Sequence, residues 1–230
     1  MIDCLLNNWI FYVCLLLASM LSIIPFAGNF LNVLNTMIHE SGHAIMALIT
    51  GGGVVNIKLS ADTSGAAQTK SKYWLGKVLV SLAGYPVSSI TAWFFFWLIK
   101  QQMINYVFYV LISLVLINLT LWVRNTFGMI WLLVMGTLTT LIYLYQNVSA
   151  HYYYSIFCAG IILFQSVYTS ITLVIISFKN PAKAGDAKNL KDFTYIPGFI
   201  WALLMLFFAL YAAFHCLLNL PCIRLSFFNI

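Results

Sequence analysis

Charge is what this chain has least of. Only 7% of its 230 residues are Asp, Glu, Lys or Arg, against about 25% in soluble globular domains. That shortage excludes a water-covered globule, because too few polar side chains remain to solvate a surface. Most of the chain therefore has a bilayer as its solvent. Acid is scarcer still, with five acidic residues and a single glutamate, Glu40. The five cysteines are odd in number and form no C-x-x-C pair, which argues against a disulfide framework and a zinc ribbon. They read as small apolar fillers, with one bridge open to Cys216 and Cys222. No Lys or Arg precedes the first apolar run, so that run reads as an uncleaved span rather than a signal peptide. The net charge of +6 is spread singly or over short loops. It reads as membrane topology and not as a nucleic-acid surface.

What is present is hydrophobic length. Apolar residues make up 63% of the chain, and the mean hydropathy is +0.96. A hydrocarbon core takes about 20 apolar residues to cross. Segments near 5–26, 30–50, 74–98, 105–123, 127–145, 152–177 and 197–219 meet that length. The expectation is an all-α polytopic membrane protein of about seven transmembrane helices, forming one integral membrane domain over 1–230. Two connections are long enough to hold structure of their own. After the glycines at 51–53, Val55, Ile57 and Leu59 alternate with polar residues, the period-2 signature of a strand. The turn residues "ADTSG" then predict a small β-hairpin. The second connection, 178–196, is polar and rich in lysine. With seven spans, nine basic residues from Lys58 to Lys191 fall on the side of the N-terminus, and only Lys100 and Arg224 fall opposite. The positive-inside rule then makes the N-terminus and both long loops cytoplasmic.

The lone glutamate sits in "MIHESGHAIM", residues 37–46, inside the second and least apolar segment. His39, Glu40 and His43 spell H-E-x-x-H. On a helix the two imidazoles emerge one turn apart on one face, the spacing for two ligands of one Zn²⁺. Glu40 stands about 60° from His43 around the axis, placed to reach a water at the metal without ligating it. A shuffled chain of this composition shows the pattern roughly once in four thousand. The bland alternative is a helix whose His and Glu satisfy each other inside a polar bundle.

A catalytic zinc takes three protein ligands and leaves one position open. Asp186 lies just before the last segment, on the side where the motif helix ends. Asp62, in the predicted hairpin turn, and Asp192 share that side and remain alternatives. His151 and His215 map to the opposite face. Asn32, Asn35 and Arg124 are candidates to assist an oxyanion, and interhelical hydrogen bonding is their competing role.

"HESGHA" within a membrane helix, followed by "GGGVVNIKLS", resembles the site-2 protease family of intramembrane zinc metalloproteases. "LAGYPVSS" (82–89), "RNTFG" (124–128) and "GDAKNLKDFTYIPGFIW" (185–201) are similar to motifs of its compact bacterial branch, which lacks a PDZ domain. The resemblance implies that Asp186 completes the zinc site and that the strand with Val55, Ile57 and Leu59 holds extended substrate. It also implies a multi-pass protein of a bacterial plasma membrane. The expected activity is zinc-dependent cleavage of a membrane protein or peptide within the lipid bilayer, with Glu40 as general base and no nucleic-acid partner. A zinc-binding pseudoprotease and a transporter are the rival readings.

Overall fold

The structure, a computed structural model, describes residues 9–219. Asp3, Cys4, Cys222 and Arg224 lie outside them, and with them the possible Cys216–Cys222 bridge. Eight α-helices and one hairpin follow in order: α1 (Trp9–Ile23), α2 (Ala27–Ile49), β1 (Gly53–Leu59), β2 (Gly65–Lys70), α3 (Trp74–Lys100), α4 (Ile104–Ile117), α5 (Thr126–Leu144), α6 (Val148–Lys179), α7 (Gly185–Thr194) and α8 (Gly198–Asn219). A π-helical turn, Asn118–Trp122, extends α4, and a 3₁₀ turn, Pro181–Lys183, precedes α7.

The polytopic all-α class with a small hairpin is as expected, but the count of spans differs. Among the described residues, five helices are long and apolar enough to cross a membrane by themselves. The first two expected spans instead form one pair, α1 and α2, bent by 103° and counting at most as a sixth. The elbow contains Pro25 and then Phe26 at φ 66°, a left-handed conformation that a bulky residue rarely adopts. Gly28 lets the chain fold back there, since a Cβ would overlap the Ser22 carbonyl. Hydropathy measures apolar length and is blind to such a change of direction.

Small residues let the helices approach. Gly76, Ser81, Ala83, Gly84, Ser88, Ser89 and Ala92 lie on the buried face of α3, against which α2 and α6 pack. In lipid, where apolar burial alone drives little association, small residues allow the close contacts that hold helices together. Behind α2, Ser41 Oγ donates to the Met37 carbonyl at 2.7 Å and accepts from Asn118 Nδ2 at 2.8 Å. This buried polar pair ties the motif helix to the end of α4.

The hairpin, residues 123–125 and α7 meet on one face. Val123 forms a parallel bridge with Ile57, and Trp74 Nε1 donates to the Phe193 carbonyl at 2.6 Å. The two loops rich in Lys both contribute residues to one cavity at that face.

Candidate metal centre

α2 presents His39 and His43 one turn apart, and α7 brings Asp186 to meet them. The two Nε2 atoms are 3.0 Å apart. Asp186 Oδ2 lies 3.2 Å from His39 Nε2 and 3.3 Å from His43 Nε2. Metal–ligand distances of about 2.0–2.1 Å in a tetrahedron put neighbouring ligand atoms about 3.3 Å apart. The triangle therefore has the size that one zinc-like ion requires, and the three residues form a group that could hold a metal. His43 Nδ1 faces the Val80 carbonyl at 2.6 Å. A carbonyl only accepts, so Nδ1 carries the proton and Nε2 keeps its lone pair for the ion. Burial opposes the Asp186 charge, but the His43 and His39 imidazoles outweigh it and hold this carboxyl below the usual carboxylate range.

Gly84 on α3 makes this arrangement possible. A Cβ there would stand 2.5 Å from the His39 ring and 2.6 Å from His43 Nε2. The neighbouring Tyr85 meets His39 edge to face, with centroids 4.7 Å apart. Both residues belong to "LAGYPVSS", where the sequence marked a motif without a role for either.

The other acids stay apart from the triangle. Asp62 is near the cavity mouth, but its Oδ1 accepts from Ser64 N at 3.0 Å and from Ser64 Oγ at 2.6 Å. Those two bonds lower its pKa. Asp192 is exposed on α7. His151 Nε2 faces the Ile142 and Tyr143 carbonyls at the end of α5, and His215 packs on Tyr211. Arg124 donates to the carbonyls of Leu119, Thr120, Leu121 and Val123, which commits it to closing the π-helical turn.

Glu40 is buried beside the triangle, and a cavity of about 1020 Å³ opens from all four side chains. Its walls are α2, α3, α6, the Lys183–Asp186 segment and the hairpin, and the hairpin contributes through β2 rather than β1. Ile57 and Leu59 are fully buried, and Val55 is the exposed residue of a bulge. The edge of β1, the strand expected to hold extended substrate, is closed. Ile57 bridges Val123, the Arg124 amide donates to the Ile57 carbonyl, and the Asn125 side chain brackets Leu59 with bonds of 3.1 and 2.6 Å. Ile57 pairs with Ala67 and Leu59 with Gly65. Because the β1 members turn their backbone groups outward to residues 123–125, their β2 partners turn theirs outward the other way, toward α2. The Ala67 amide accordingly points toward the side of Glu40. Gly65 sits so close to Glu40 that a Cβ would stand 2.5 Å from Oε1.

A bundle of membrane helices enclosing a His–His–Asp triangle defines the class as a polytopic membrane protein with a candidate metal site. The model of the Peptidase M50B-like family matches residues 12–216, and the chain belongs to that family. Its membership supports the resemblance to the site-2 proteases and makes it a membrane metallopeptidase in general character. No curated protein and no solved structure matches the chain.

Proposed function

We propose that the protein is a membrane-embedded zinc endopeptidase, with His39, His43 and Asp186 as ligands and Glu40 as general base. The observation that carries this reading is a ligand triangle of tetrahedral size with a buried carboxylate beside it and a cavity in front. Zinc held there would supply a Lewis acid that polarises a peptide carbonyl and acidifies a water. Glu40 takes the proton of the attacking water and delivers it to the leaving amine nitrogen. His43 keeps its tautomer through Val80, and Tyr85 holds the His39 ring in place.

The substrate is a membrane protein or peptide whose helix unwinds at the site. Unwinding bares backbone groups that lipid does not satisfy. The outward edge of β2, at Gly65 and Ala67, offers them partners next to Glu40. β1 contributes by anchoring, with Ile57 and Leu59 in the core and Val55 at its bulge. We assign the face with the hairpin, Arg124 and α7 to the cytoplasm of a bacterial cell, because nine basic residues collect there. Residues 1–230 act as one integral membrane domain.

Metal analysis of purified protein beside a cleavage assay tests this. Wild type should carry about one zinc per chain and cleave a transmembrane peptide. Glu40→Gln should keep the zinc and lose cleavage by at least about 10³-fold, while Asp186→Ala should lose the zinc. Cleavage unchanged in Glu40→Gln would sink the role of the base. Zinc without cleavage in wild type would favour a pseudoprotease.

A further inference from the structure

The cavity runs on past the metal triangle, along α2 toward the elbow, and its wall changes character there. Asn32, Asn35 and Ser22 line it, facing Gln165 and Thr169 of α6. Asn32 Nδ2 donates to the Ser22 carbonyl at 2.9 Å. Since that carbonyl can only accept, the amide orientation is set and Oδ1 is the end left over. Asn32 Oδ1, Asn35 Oδ1 and Ser22 Oγ are buried, and none has a hydrogen-bond partner among the described residues. Asn35 and Ser22 are only 4% and 6% exposed.

Two open amide oxygens need donors, and the Ser22 hydroxyl beside them can accept as well as donate. Left unmet, each carries a desolvation cost that an apolar residue filling the same space would not. An oxyanion is the poorer guest, because neither amide oxygen can serve it and the amide nitrogen of Asn32 is already committed, which leaves it only the Ser22 hydroxyl and the Asn35 amide nitrogen. A peptide N–H is a fitting one. Asn32 precedes His39 by seven residues and Asn35 by four, so both lie within about 40° of it around the helix. Along the axis they stand about 10 and 6 Å away. An extended chain advances about 3.3 Å per residue, so these distances correspond to two to three residues from a bond held at the metal. The end of a broken substrate helix bares its first N–H groups over just such a stretch.

We propose that Asn32, Asn35 and Ser22 form an acceptor row for backbone N–H groups of an unwound membrane segment, two to three residues from the bond presented to Glu40. This rests on the peptidase reading for what happens next, but the row itself is a binding site. It makes the site selective against proline or any N-alkylated residue at those positions, whatever the side chain.

Binding in a non-cleaving background separates the two ideas. The probe is a synthetic Leu/Ala transmembrane peptide of about 24 residues with a central Asn-Gly break. It carries a single N-methyl group moved one residue at a time across four positions on each side of the break. Affinity for the zinc-loaded Glu40→Gln protein is read by fluorescence in lipid nanodiscs. One or two positions, two to three residues from the break, should weaken binding about three- to ten-fold. In Glu40→Gln/Asn35→Leu and Glu40→Gln/Ser22→Ala, both checked for full zinc content, the unmethylated peptide should bind more weakly by a similar factor. The same N-methyl group should then cause little further loss. A flat methyl scan would overturn the acceptor row, as would methyl and side-chain effects that simply multiply, the result expected if these residues hold only water or brace the fold. If wild type fails to cleave the peptide while the coupled losses appear, the row stands and the peptidase reading falls.

Discussion

β1 and β2 are two strands of one hairpin, yet they are held by different things. β1 is secured on both edges, by β2 on one side and by Val123, Arg124 and Asn125 on the other, with Ile57 and Leu59 sunk in the core. β2 is secured on one edge only. Its other edge faces the candidate metal centre, and its residues Gly65, Ala66 and Ala67 are small. The strand with the stronger pattern is thus the anchor, and the strand with the weaker one is placed beside Glu40 and the His–His–Asp triangle. Alternating hydrophobicity reports which face a core holds. It carries no information about which edge is left open.

The comparison breaks most sharply at Gly65. A Cβ there collides with Glu40 and with Thr36 Cγ2 at 2.6 Å, so Gly65→Val must push β2 off the site. We expect cleavage to fall about 100-fold or more while zinc content stays near wild type, read by metal analysis and peptide cleavage. Activity within a few-fold of wild type would mean that β2 stands away from Glu40 during turnover.

A matched pair of prolines is next. Ala67→Pro removes the outward amide of the open edge, and should cut cleavage about 30-fold with little change in melting temperature. Ile57→Pro disrupts the anchored strand and loses a fully buried side chain. It should destabilise the protein by about 3 kcal/mol or more, visible in thermal unfolding, with activity falling as a consequence. The opposite pattern, stability lost at Ala67 and kept at Ile57, would exchange the roles of the two strands.

The smallest effect is at the clamp. Asn125→Ala removes both bonds that bracket Leu59, at a cost of about 1–2 kcal/mol. A lower melting temperature with a loss of cleavage of only a few-fold is the expected outcome. No change in either would show that packing of Leu59 alone keeps β1 in register.

Much of this molecule was readable along the chain because the relevant physics is local. Apolar length announced the membrane class, glycine and alternation announced the hairpin, and helical periodicity put His39 and His43 on one face with Glu40 beside them. Counting which loops share a side left Asp62, Asp186 and Asp192 as candidates, and the resemblance to the site-2 proteases singled out Asp186. What the chain could not convey was direction and proximity. The 103° elbow turned two expected spans into one bent pair, since hydropathy has no angle. The closing of the β1 edge depends on Asn125, 66 residues from Leu59, and Gly84 matters only because α3 happens to pass against the imidazoles. Asp62, Asp186 and Asp192 are equivalent as letters. Only the packing of α7 against α3 decided which carboxylate meets the histidines, because a metal selects ligands by ångström distances that no sequence spacing sets between separate helices.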